Sequence, residues 1–147
     1  MMSTRIARTA WNGGLHDGSG QVELSSSHVG TFDVSFPRRT ADEASGVTSP
    51  EELIAAAHSS CFAMQMSGNI ANAGGTPISL EVEAAVSLAP DKERGGLHIT
   101  GIALTVRGEV EGLDAEGFIK AAEGAKEGCP VSKALAAVDI TLDAALT

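Results

Sequence analysis

Apolar and polar residues alternate with two different periods along this chain, and the change of period marks out its elements. From Leu53 the residues Leu53, Ala57, Cys61, Met64 and Gly68 recur at spacings of four, four, three and four, one stripe of a helix running from about residue 49 to 73. Thr48 or Ser49 suits the N-cap and Pro50 the first helical position. Glu51 and Glu52 fall in the first turn, where the positive end of the helix dipole favours carboxylates. The stripe places Cys61 on the face expected to be buried.

Around this helix the period falls to two. Residues 4–11, 21–24 and 31–36 read as three short strands of an antiparallel meander, the first ending at the turn signal Asn12-Gly13-Gly14. Pro37-Arg38-Arg39 then opens an acidic, small-residue loop up to the helix. After the helix stop at Ala73-Gly74-Gly75, residues 78–88 and 97–110 alternate over a long hairpin closed by the turn Ala89 to Gly96. Asp114 caps a helix over about 114–127 with Phe118, Ala121, Ala122 and Ala125 on one face. A short helix at 130–136 and a strand at 138–146 finish the chain. Antiparallel sheets with segregated helices predict an α+β class in a single domain over 1–147, with a meander to about 47, the central helix at 49–73 and a strand–helix part from 77.

Composition narrows the possible partners. A net charge of −9 and an aromatic content of 3%, with no tyrosine and one tryptophan, repel phosphate backbones and anionic membranes and leave little for bases to stack on. Nucleic acid and membrane are therefore not expected partners. No apolar run approaches the roughly 18 residues of a membrane span. The basic N-terminus lacks the apolar region of a secretory signal, so a cytoplasmic location is expected. In a reducing compartment two cysteines seldom form a structural staple, and a transient or catalytic disulfide is the better reading.

A lone buried cysteine in an Ala-rich helix is ordinarily a small hydrophobe. Here there are two, and Cys129 stands in Gly-Cys-Pro, between a residue that ends one helix and one that opens the next. A thiol at a helix N-terminus is where a lowered pKa is expected, whereas a mid-helix, apolar position raises that of Cys61. His58, three residues before Cys61, would supply a second metal ligand, but the other histidines show no ligand spacing. Packing or a hydrogen bond to a carbonyl is its expected role, and neither metal nor cofactor is expected.

The segments T-S-P-E-E-L-I-A-A-A-H-S-S-C-F and G-C-P-V-S-K-A-L, with the closing strand I-T-L-D-A-A-L, resemble the OsmC branch of the OsmC/Ohr superfamily, thiol-dependent organic hydroperoxide reductases. The resemblance covers essentially the whole chain. It implies an intertwined homodimer, sheets wrapped around long central helices, two active sites at the subunit interface and no cofactor. It further implies a peroxidatic cysteine at Cys61, a resolving cysteine at Cys129 and an Arg–Glu pair. Glu51 matches the carboxylate by its spacing to the cysteine, and Arg39, with Arg38 as the alternate, matches the arginine. The reductant it implies is a dithiol such as a dihydrolipoyl protein.

Elementary chemistry asks for the same groups. Cleaving an O–O bond with sulfur needs a thiolate and a donor for the developing alkoxide charge, and a guanidinium serves both. Ten residues of helix separate Glu51 from Cys61 by about 15 Å along the axis, so the Arg39–Glu51 pair is expected to serve the Cys61 of a second subunit. Phe36, Phe62 and Met64 are expected to line an apolar pocket for alkyl or lipid-like hydroperoxides, chiefly on the strength of the resemblance. Two competing readings are a non-catalytic redox sensor or apolar-ligand carrier on the same fold, and a structural zinc protein.

Overall fold

The computed structural model describes the whole chain, Met1–Thr147, in the order β1 (Arg8–Asn12), β2 (Ser19–Glu23), β3 (Thr31–Val34), α1 (Phe36–Arg39), α2 (Pro50–Asn72), β4 (Thr76–Pro90), β5 (Leu97–Glu111), α3 (Ala115–Gly128), α4 (Pro130–Ala134), β6 (Asp139–Leu146). The class is α+β, as the change of period indicates. The chain groups into two compact units, Met1–Leu53 and Ile54–Thr147, so that the first turn of α2 belongs with the first and the rest of it with the second.

In the first unit β1, β2 and β3 form an antiparallel sheet in sequence order, with Thr9 opposite Val22 and Val22 opposite Phe32. Val22 is the one strand residue here that is buried. The chain then departs from its expected course. Residues 36–39, read as the end of a strand and the entry to a loop, form the short helix α1 instead. Ser35 is extended, its hydroxyl accepts from the Arg38 amide, and Pro37 presets φ for a first turn. The following loop returns beside β3, where the Thr48 amide donates to the Asp33 carbonyl at 3.1 Å. Ser49 is the cap of α2: its hydroxyl accepts from the Glu52 amide at 3.1 Å.

In the second unit α2 ends on Gly74 at φ +89°, a left-handed conformation that glycine adopts without a Cβ penalty. The Gly75 amide bonds the Ile70 carbonyl and the Gly74 amide that of Ala71, which closes the helix and satisfies two of its free carbonyls. β4 and β5 form a hairpin of two 15-residue strands, with Val82 opposite Val106 and Ala84 opposite Leu104. At its tip the Asp91 side chain accepts from the amides of Glu93 and Arg94.

The last strand corrects the expectation of purely antiparallel sheets. β6 lies parallel to β5, with Ile102 opposite Ile140 and Leu104 opposite Leu142. After β5 the chain crosses back through α3 and α4, so the next strand runs the same way, the geometry a helical crossover imposes. The core forms between this sheet and the helices, with Ile102, Leu104 and Val106 packed among Phe118, Ala121, Ala122 and Ala125 of α3 and Phe62, Met66 and Ile70 of α2.

The buried row of α2 is therefore not the expected one. His58, Phe62, Met66 and Ile70, four apart throughout, are fully buried, whereas Met64 is 75% exposed and Ala57 and Gly68 are exposed. Cys61 lies at the margin of the buried row and is partly accessible. The helix is apolar or small-sided on most of its circumference, so its residues fit two stripes about equally well and packing selects one of them.

Candidate active site

Two groups of predicted residues form contacts, each within its own unit. In the first unit the Arg39 guanidinium grips the Glu51 carboxylate: Nη2 lies 2.6 Å from Oε1, and Nε lies 3.1 Å from both carboxylate oxygens. Successive helical residues point about 100° apart, so only one of two adjacent arginines on α1 can face Glu51. Arg39 does, while Arg38 is exposed. Glu51 is only 7% exposed. Burial works to raise its pKa, but the hydrogen bonds from Arg39, a backbone amide and the guanidinium charge hold the carboxyl below the ordinary carboxylate range. Arg39 is in turn raised, first by its hydrogen bonds to Glu51.

The same guanidinium borders an apolar cleft of about 460 Å³ whose walls include Trp11, Leu15, Val34, Phe36 and Leu53. Phe36 is thus on the wall of a cleft, steadied by the edge of His16 at a ring separation of 5.3 Å. Trp11 escaped the sequence reading. It sits on a strand whose five residues are all exposed, and its one signal was that it is the chain's only tryptophan.

In the second unit the sulfurs of Cys61 and Cys129 are 2.8 Å apart and both are free thiols. They come from the middle of α2 and from the junction of α3 and α4, where the Cys129 amide donates to Ala125 of one helix and its carbonyl accepts from Lys133 of the next. Burial raises the Cys61 thiol, and the hydrogen bond with Cys129 raises it further, against an opposing pull from the Val131 amide. At Cys129 burial also pushes upward, but hydrogen bonds from Cys61, from the amide and hydroxyl of Ser132 and from the Val131 amide outweigh it, so this thiol is lowered.

His58 is buried, as its expected packing role requires, but its polar partner differs from the expected one. Its Nε2 bonds not a carbonyl but the Ser132 hydroxyl, at 2.7 Å, and its Nδ1 is buried without a partner. Burial lowers its pKa, which keeps the ring neutral. Ser132 is a second residue that sequence reasoning missed, because its partner is 74 positions away. No group of three or more His, Cys, Asp or Glu side chains lies together as a metal site would require.

The other expected pocket residues are not among the walls of that cleft. Phe62 is fully buried in the core of the second unit, where it serves packing. Met64 is on a surface groove with Ser67 and Ile78.

An α+β chain that holds two free thiols in contact, one mid-helix and one between two helices, defines a two-cysteine thiol protein. The OsmC-like protein family matches residues 42–143, and this chain belongs to that family. It is 43% identical over 133 residues, 90% of each chain, to Peroxiredoxin OsmC of Escherichia coli (strain K12). Among solved structures it resembles an organic hydroperoxide resistance protein OsmC from Legionella pneumophila (26% identity, TM-score 0.77, covering 99% of this chain and 98% of that one). It also resembles the organic hydroperoxide resistance protein OhrB of Bacillus subtilis (30% identity, TM-score 0.73, covering 95% of this chain and 97% of that one). No helix is long and apolar enough to cross a membrane.

Proposed function

We propose that this protein, a peroxidase by its family and by its 43% identity to a peroxiredoxin, reduces organic hydroperoxides to alcohols through Cys61 and Cys129. The observation that carries the reading is the 2.8 Å contact between the sulfurs of the chain's only two cysteines, both of them free. The Cys61 thiolate attacks the terminal peroxide oxygen, the O–O bond breaks, and the alkoxide leaves and takes up a proton to become the alcohol. Cys61 is left as a sulfenic acid. The Cys129 thiolate attacks its sulfur, the S–S bond forms as the S–O bond breaks, and the departing hydroxide is protonated to water. An external dithiol, for which a dihydrolipoyl protein is suited, reduces the disulfide by exchange and resets the pair.

Cys61 on its own is raised, so the first step needs a cation. In this proposal Arg39, oriented by Glu51, supplies it to the Cys61 of a second subunit, stabilising the thiolate and then the alkoxide. The length of α2 between Glu51 and Cys61 supports action across a homodimer. The apolar cleft bordered by Arg39 and Phe36 suits an alkyl or lipid-like chain better than hydrogen peroxide. The acidic chain is assigned to the cytoplasm, where dithiol reductants are at hand.

The test is stopped-flow peroxide consumption with tert-butyl hydroperoxide or cumene hydroperoxide against hydrogen peroxide, using dihydrolipoamide and then glutathione. Repeated turnover with the organic peroxide and the dithiol is expected. A single slow oxidation without turnover would instead identify a redox sensor or a carrier.

A further inference from the structure

The mechanism above leaves unused one buried polar contact next to the sulfurs, that between His58 and Ser132. His58 is fully buried on the same row of α2 as Phe62, Met66 and Ile70, among core residues where an apolar side chain would pack without polar cost. It makes one hydrogen bond, from Nε2 to the Ser132 hydroxyl at 2.7 Å, and its Nδ1 has none. A buried ring nitrogen left unpaired is unfavourable for folding, which sets this histidine apart from the satisfied polar groups of a packed core. Ser132, itself buried, lies in the first turn of α4, three residues after Cys129, which stands at the N-cap of that helix.

We propose that His58 and Ser132 are a positioning pair for the resolving thiol: their bond ties α2 to the first turn of α4, the helix that Cys129 caps, and so holds the Cys129 sulfur against Cys61. A serine hydroxyl carries a single hydrogen. The ring is neutral and its Nδ1 has no acceptor, so Nε2 is the protonated nitrogen and donates to Oγ, which leaves the hydroxyl hydrogen free for an acceptor on the α4 side. Nδ1 is then a bare lone pair, the form of this ring that needs no acceptor nearby. The pair acts on the second step of the cycle. Cys129 supplies the electron pair of the new S–S bond, and the sulfenic oxygen of Cys61 departs as hydroxide and becomes water with the proton that Cys129 released on ionising. The first step, attack on the peroxide by Cys61, does not draw on the pair.

This inference rests on the two-cysteine reading, and the experiment separates the two. Full-length protein is reduced, mixed with one equivalent of tert-butyl hydroperoxide and quenched at intervals. Trapping with dimedone scores sulfenic acid, and intact mass scores disulfide. In Ser132→Ala and His58→Gln, with folding checked by circular dichroism, sulfenic acid should form at the wild-type rate. Disulfide should follow roughly three- to tenfold more slowly, the range for losing one hydrogen bond between neutral groups. Ser132→Thr, which keeps the hydroxyl, should restore it. Wild-type disulfide rates in both variants, or equal slowing of the two steps, would overturn the proposal while leaving the two-cysteine cycle standing. A wild-type protein that forms no sulfenic acid would overturn the cycle itself and this proposal with it.

Discussion

Arg39 meets Glu51 through three nitrogen–oxygen contacts of 2.6 to 3.1 Å, a bidentate ion pair in which the carboxylate is buried and the guanidinium is partly open to the apolar cleft. A buried carboxylate is tolerable only with such a partner. The guanidinium, held in one orientation, keeps an open side from which it can act on something else.

Removing the arginine therefore does two things. Arg39→Ala leaves Glu51 buried and unpaired, and with the pair partly solvent-screened it should destabilise the protein by about 1–3 kcal/mol in urea unfolding. It should also lower peroxide consumption on the order of a hundredfold, the cost of losing one charge-stabilising donor. Thiolate ultraviolet absorbance against pH should show the Cys61 pKa raised. Arg38→Ala should leave all three measurements near wild type, and the reverse pattern would transfer the role to Arg38.

The same pair sets an acid limit on stability. Glu51 is held below its ordinary value of 4.5, so its contribution is present above that pH and is lost as pH falls through the lower, folded value. Unfolding free energy measured from about pH 6 to about pH 3 should fall more steeply for wild type than for Glu51→Gln, which has nothing to protonate there. Parallel curves would show that the pair is not coupled to folding.

The two sulfurs should be separable by their kinetics. Cys61→Ser should abolish peroxide consumption, and undiminished turnover would exclude Cys61 as the attacking group. Cys129→Ser should allow one oxidation and accumulate a sulfenic acid that dimedone traps, whereas continued turnover with dithiol would show that Cys129 is not needed.

Packing of the second unit is tight at Gly108. A Cβ there would lie 2.6 Å from Leu80 Cδ2 and 2.9 Å from the Phe118 ring, both of them side-chain atoms that can shift. Gly108→Ala should cost about 1–3 kcal/mol in thermal or urea unfolding, the usual penalty of overpacking. Gly46→Ala meets no such atoms, and its cost should come only from its left-handed φ of +79°.

Much of the fold was legible because it is local. The Ser49 and Asp114 caps, the glycine stop after Asn72 and the alternation of the long hairpin are hydrogen-bonding and steric preferences of neighbouring residues, and each element formed within a few positions of its expected bounds. The family resemblance was legible because both cysteines lie in distinctive short motifs. The small helix at Phe36 was not foreseen, since four residues with no buried side chain carry no period to read.

By itself, then, the sequence determined the class, the helices and strands other than α1, the central helix with its two acidic first-turn residues, and the two thiols as the groups to watch. Only the tertiary structure decided which arginine meets Glu51, which row of α2 enters the core, that β6 runs parallel to β5, and that sulfurs 68 positions apart come to 2.8 Å with His58 and Ser132 beside them. Caps, turns and alternation are settled between near neighbours in the chain. Pairings across tens of residues depend on which apolar faces close on one another, and a helix apolar on most of its sides leaves that choice to packing.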